Sequence, residues 1–187
     1  NQESLFNMMI LIYHLIAALG LIGFSLLFND LITVWLGAKY LLDYGTVFII
    51  ALNFYLTYAI APIWIFREAN GLFGEVKYIL LIRAAINIVL SIILGKLFGI
   101  FGVLLATTIS HILTNIWYEP LVLSKKVLHG ITKSYWKKQI RFFLLTVMCY
   151  MLCFFVTSFL GSGVVNLILE ALVVCSITIF VFYITNF

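Results

Sequence analysis

Charged residues are scarce in this sequence. Only 10% of its 187 residues are Asp, Glu, Lys or Arg, whereas roughly a quarter are charged in a typical soluble domain. Hydrophobic residues make up 65%, so the chain lacks the polar side chains that a water-facing surface requires. We therefore predict an all-helical integral membrane protein. The net charge of +4 does not indicate nucleic-acid binding, because most basic residues cluster beside one hydrophobic run.

Cysteine and catalytic motifs are equally sparse. Cys149, Cys153 and Cys175 lie within hydrophobic runs and have no His, Asp or Glu within a helical turn. They are expected to be small packing residues and not a disulfide framework or metal site. The sequence also lacks GxSxG, HExxH, a phosphate-binding glycine loop and paired carboxylates on one helix face. We predict no enzyme activity, cofactor or metal.

Long hydrophobic runs are abundant. A helix crosses the bilayer core with about 20 apolar residues, and six runs approach that length. The predicted spans are 5–28, 46–66, 76–94, 100–117, 140–160 and 164–183. The third and fourth are separated only by a GKLFG turn, and Pro62 is expected to kink or end the second. Residues 118–139 are predicted to form a basic cytoplasmic loop containing a short amphipathic surface helix at 121–128.

The basic residues predict the orientation, because Lys and Arg concentrate in cytoplasmic loops. With six spans, eight Lys and Arg lie on one side and two on the other, and Arg83 lies within a span. Both ends of the segment are therefore predicted to be cytoplasmic. Six residues of the basic segment are expected to contact lipid headgroups: Lys125, Lys126, Lys133, Lys137, Lys138 and Arg141.

Three polar residues within the spans are candidate functional residues, since an ionisable group in the bilayer usually faces a cavity or a partner. Arg83 and Asn87 share one helix face. They either line a cavity that contacts an anionic substrate, or Arg83 extends to the inner headgroups. Glu170 either couples transport to protons or pairs with another helix; alternatively, it is protonated and structural.

Other polar residues have simpler interpretations. Glu119 precedes Pro120 and is expected to be a solvated charge at a helix end. His14 and His111 are expected to pack and form hydrogen bonds. Three hydroxyl residues can bond their own helix backbone: Thr107, Thr108 and Ser110.

Several motifs together resemble a known family. They are LFNDLITVWLGAKY, REANGLFGEVKY, GKLFGIFGVLLATTIS and YEPLVLSKK, and the similarity extends from about Asn29 to Arg141. This pattern is similar to polysaccharide transporters, the O-antigen and capsular repeat-unit flippases of the multidrug/oligosaccharidyl-lipid/polysaccharide exporter superfamily. The most specific part is Gly99-Ile-Phe-Gly102 followed by Ala106-Thr-Thr-Ile-Ser110.

The resemblance implies the C-terminal part of a two-lobe transporter with twelve or fourteen helices, so we expect a piece of a longer protein. Such proteins move undecaprenyl-diphosphate-linked oligosaccharide across the bacterial cytoplasmic membrane by alternating access. Arg83 and Asn87 would line the headgroup cavity. Lipid-linked oligosaccharide and polysaccharide polymerase would be partners.

Three alternatives remain. The first is a small-molecule or drug exporter of the same superfamily. The second is a truncated, non-transporting membrane subunit. The third is a membrane-embedded polymerase, which would need a large outer loop, whereas the loops predicted on that side are short.

Overall fold

The computed structural model describes residues 2–161 and 163–186. Within them the secondary structure is helical. The six α-helices and one 3-10 turn are α1 (Gln2–Trp35), the turn Ala38–Tyr40, α2 (Tyr44–Ala69), α3 (Phe73–Leu113), α4 (Asn115–Lys126), α5 (Thr132–Thr157) and α6 (Val164–Asn186). The predicted all-helical class is confirmed for this part of the chain.

Five helical runs in the described residues are long and apolar enough to cross a membrane: α1, α2, Phe73–Lys126, α5 and α6. The predicted count of six is not matched, because the predicted third span and most of the fourth lie in α3, and the single run Phe73–Lys126 contains both. That helix nevertheless contains a break, since Gly99 has φ 61° and ψ −138°. Glycine tolerates this conformation because it has no Cβ.

The chain reverses at Gly99, so α3 is a helical hairpin. Asn87 Nδ2 lies 3.2 Å from Ser110 Oγ, 23 residues further on. A straight helix would separate these residues by roughly 35 Å. The two arms approach closely at Gly102, where a side-chain Cβ would collide with the carbonyl group of Leu94.

The core is built from one stripe of each packed helix, because side chains three or four residues apart share a helix face. On α6 the stripe is Glu170, Val174, Thr178 and Phe182. The α5 stripe includes Cys149 and Cys153, which are fully buried. These two cysteines are core residues as predicted, whereas Cys175 is exposed on α6.

The remaining helix faces expose large apolar side chains, most of all on α3. Leu81 is 66% exposed and Ile88 is 60% exposed. Contiguous apolar surface of this kind marks contact with a membrane or another protein. The fold is therefore compatible with a multi-pass membrane protein in contact with lipid.

Two local details go beyond the prediction. Most of residues 118–139 are helical, since α4 continues to Lys126 and so covers most of the predicted short helix at 121–128, and α5 begins at Thr132. Both helices extend through polar sequence, where local propensity and packing continue the helix although the hydrophobic pattern has ended. Pro62 was predicted to kink or end the helix, and the second of these outcomes is excluded, since α2 continues to Ala69 with Pro62 buried inside it.

Candidate functional site

Arg83 and Asn87 lie one turn apart on the first arm of α3 and line the same groove, of about 340 Å³. Leu80, Ala84 and Thr107 complete the lining. The groove therefore combines a cation, an amide and a hydroxyl with apolar walls. It opens on the side of α3 that the rest of the bundle leaves uncovered.

Arg83 is half-buried, and its guanidinium has no hydrogen bond or ion pair among the described residues. Its charge interacts at longer range with Glu119 and with His111. A guanidinium presents five N–H donors in a planar fork that fits phosphate and carboxylate oxygens. These donors remain available to a ligand in the groove.

Asn87 holds the two arms of the hairpin together. Its Nδ2 lies 3.2 Å from Thr107 Oγ1 and 3.2 Å from Ser110 Oγ. The hydroxyl groups also bond their own helix as predicted, with Ser110 Oγ donating to the Thr107 carbonyl at 2.9 Å. Asn87 thus has a structural contact in addition to its place in the groove.

Glu119 is not the solvated charge that the sequence predicts. It is 1% exposed, and its Oε2 lies 2.5 Å from Nη1 of Arg67 on α2. The second carboxylate oxygen, Oε1, is buried and has no hydrogen-bond partner in the described part of the chain. In the sequence, the apolar residues on both sides of Glu119 are the local sign of burial, and they do not identify Arg67 as its partner.

His14 is fully buried and belongs to a hydrogen-bonded group that joins three helices. Its Nε2 lies 2.8 Å from Gln139 Oε1 on α5, and its Nδ1 lies 2.7 Å from the Ile10 carbonyl. Gln139 Nε2 donates to the Ala59 carbonyl of α2 at 3.2 Å. His14 therefore forms hydrogen bonds as predicted, and His111 is buried against Trp64, with ring centroids 5.8 Å apart.

Glu170 is far from Arg83 in the bundle and lines a different cavity, of about 270 Å³, at the end where α1 and α5 finish. Asp30 lines the same cavity, and the two carboxyl groups interact electrostatically. Sequence analysis did not single out Asp30. Asp30 lies 140 residues before Glu170, so no local sequence pattern connects the two residues.

The basic segment lies at the opposite end of the bundle. Lys138 Nζ donates to Asn7 Oδ1 near the start of α1 at 2.6 Å. Arg141 donates to the Thr185 carbonyl near the end of α6. Lys126 pairs with Glu75 at 3.1 Å. One end of the bundle therefore contains the starts of α1, α3 and α5 and the ends of α4 and α6. Lys125 lies near the end of α4, and Lys133 and Lys137 lie near the start of α5, so they belong to the same end.

In the described residues, no group of three or more His, Cys, Asp and Glu side chains is placed to hold a metal ion. Neither a family model, a curated protein nor a solved structure gives a significant match to this chain.

Proposed function

We propose that this chain is the C-terminal part of a flippase that moves undecaprenyl-diphosphate-linked oligosaccharide across the bacterial cytoplasmic membrane by alternating access. The observation that supports this function best is the unpaired guanidinium of Arg83 beside Asn87 in an open groove. A cation within a membrane span that has no ion pair is costly. An anionic ligand would offset that cost.

The groove suits a headgroup that joins phosphate to sugar. Arg83 would bind diphosphate oxygens through paired N–H donors. Asn87 and Thr107 would exchange hydrogen bonds with sugar hydroxyl groups. The lipid tail would lie along the exposed apolar side chains of the first arm of α3, including Ile88 and Ile92. Among the residues that the structure describes, the lining contains a cation and no acid, which favours an anionic substrate over a cationic drug.

One guanidinium does not neutralise a diphosphate, so the proposed site is completed by a second lobe facing the groove. Movement of the two lobes would expose the headgroup to each side of the membrane in turn. The basic end of the bundle would face the cytoplasm, and both ends of this segment would then lie on the cytoplasmic side. Polysaccharide polymerase would receive the translocated repeat units.

A binding experiment tests the proposed ligand. The protein that carries this chain is purified in lipid nanodiscs and titrated with diphosphate-linked oligosaccharide lipid, with the monophosphate lipid as competitor. Arg83→Gln should weaken binding of the diphosphate lipid at least tenfold, about 1.4 kcal/mol. Lys77→Gln is the matched control, because Lys77 is an exposed cation on the same helix outside the groove.

Equal binding by wild type and Arg83→Gln would contradict the proposed role of Arg83. Binding of cationic drugs by the wild type, with no binding of the diphosphate lipid, would favour the drug-exporter alternative.

A further inference from the structure

A second cavity contains an acidic side chain whose charge is not compensated. Glu170 is 7% exposed and lines the cavity of about 270 Å³ between α1, α5 and α6. It has no hydrogen bond and no salt bridge in the part of the chain that the structure describes. Since ionised groups are rarely buried without a partner, the carboxylate requires a proton or a cation.

The direction of Glu170 is set by its helix. Glu170 continues the buried stripe formed by Val174, Thr178 and Phe182 at four-residue intervals. The carboxyl group therefore faces the interior of the bundle and does not extend along the lipid-facing side of α6. A purely lipid-exposed glutamate would not meet side chains of α1 and α5.

The other polar atoms of the cavity are oxygens. Asp30, which is exposed, contributes a second carboxylate, and its charge interacts with that of Glu170. Ser25 Oγ is buried and has no hydrogen-bond partner among the described residues. The hydroxyl residues Thr157 and Ser158 are also part of the lining, which includes no Lys, Arg or His among the described residues.

We propose that this cavity binds a hard metal cation, with Glu170 and Asp30 as its charged ligands and Ser25 as a neutral ligand. Carboxylate and hydroxyl oxygens suit Ca²⁺ and Na⁺, which accept irregular coordination with several waters. Nitrogen and sulfur ligands, which softer metals prefer, are absent from the described lining. The proposal does not depend on the transport function, because it uses different residues at the other end of the bundle.

Thermal unfolding in the presence of metal alone tests the site. The protein in nanodiscs at neutral pH is titrated with CaCl₂ and with NaCl, and choline chloride at matched ionic strength is the reference. A cation that binds only the folded protein raises the Tm in a saturable manner. We expect Ca²⁺ to act at lower concentration than Na⁺, because the two carboxylates offer two negative charges.

Variants then localise the effect. Glu170→Gln should abolish the cation-dependent rise in Tm, and Asp30→Asn should weaken apparent affinity at least tenfold. Glu3→Gln is the control, since Glu3 is exposed near the other end of α1. Without cations, Glu170→Gln should unfold at or above the wild-type temperature because it removes a buried, unpaired charge.

If Glu170→Gln does not fold, Ser25→Ala provides the second test. It removes a hydroxyl that has no partner to lose and should weaken the cation effect in a folded protein. The proposal is contradicted if no cation raises the wild-type Tm above the choline reference. It is also contradicted if wild type and the Glu170 variant respond equally, since binding would then lie elsewhere.

Discussion

Arg67 and Glu119 form a buried ion pair between α2 and α4, although 52 residues separate them along the chain. The Arg67 side chain is 11% exposed and that of Glu119 is fully buried. The pair fixes α4 against α2 at the end of the bundle where the basic segment lies. The charge of Arg83 also interacts with Glu119, so the pair affects the electrostatics of the groove.

Breaking this pair should destabilise the protein. Glu119→Gln removes the buried counter-charge of Arg67 and leaves only the exposed Glu68 to pair with its guanidinium. Loss of one partner of a buried pair costs about 3–5 kcal/mol in comparable sites. We expect a clear fall in Tm, measured by tryptophan fluorescence in detergent. Glu68→Gln is the matched control, because Glu68 bonds the same guanidinium at 2.9 Å but is 56% exposed. Its loss should cost less than about 1 kcal/mol. Similar Tm values for the two variants would argue against a buried pair.

The hairpin turn of α3 predicts a second result. Gly102→Ala would place a methyl group against the Leu94 carbonyl, and backbone atoms cannot move aside as a flexible side chain can. The arms must separate, so the Tm should fall. Gly74→Ala provides the comparison on the same helix, since no atom lies within 4 Å of its added Cβ. Alanine there should be neutral or stabilising by up to about 1 kcal/mol. A Gly102→Ala variant as stable as Gly74→Ala would show that the arms are not packed in this way.

Much of the fold follows from the sequence because hydrophobic length and helical periodicity are local properties. The predicted spans 5–28 and 46–66 lie inside α1 and α2, and the GKLFG sequence contains the glycine at which α3 reverses. Helix ends were harder to predict, since α4 and α5 extend into polar sequence. The count also differed, because the two arms of the α3 hairpin reverse at Gly99 without loop residues between them and so belong to one helical run.

The candidate site was only partly predictable, because its components meet through tertiary packing. Arg83 and Asn87 were found by their one-turn spacing, which is visible in the chain. Neither Arg67 for Glu119 nor Asp30 for Glu170 could be identified from spacing, since each pair depends on which helices become neighbours. The role of Arg83 and Asn87 in substrate binding stays a prediction.

The group around His14 predicts measurable coupling between α1 and α5. Replacing His14 or Gln139 by Ala should lower the Tm. The fall in Tm of the double variant should be smaller than the sum of the two single falls, because each single variant already removes the same 2.8 Å hydrogen bond. Hydrogen bonds between membrane helices average about 0.6 kcal/mol in such cycles, with a maximum of about 1.7 kcal/mol. His129 is exposed, so the effects of His129→Ala and Gln139→Ala on the Tm should be additive. Strict additivity for His14 and Gln139 would rule out the contact.

The start of α2 predicts a pH dependence. Asp43 accepts hydrogen bonds from the hydroxyl group of Thr46 at 2.6 Å and from its backbone N–H at 2.8 Å. These bonds stabilise the charged form and lower the pKa of Asp43 below its ordinary value. Its contribution to stability is therefore present above the unfolded pKa, about 3.9, and is lost as the pH falls through the lower folded pKa.

Asp43→Asn isolates this effect, because asparagine is also a good N-cap but does not titrate. Tm should vary less with pH in this variant than in the wild type below about pH 4. Asp43→Ala should lower the Tm at neutral pH, because the substitution removes both capping hydrogen bonds. Parallel pH profiles for wild type and Asp43→Asn would mean that another acid causes the dependence.

The most direct test of the proposed function measures surface polysaccharide in bacteria whose own repeat-unit flippase has been deleted. The cells express the full-length protein that carries this chain, as wild type, Arg83→Gln, Arg83→Lys or Lys77→Gln, at matched membrane levels. We predict export with the wild type and Lys77→Gln, strong loss with Arg83→Gln, and partial activity with Arg83→Lys, which keeps the charge but lacks the planar fork. Wild-type export by Arg83→Gln would contradict the role of the groove, and no export by the wild-type protein in any such strain would contradict the proposed function.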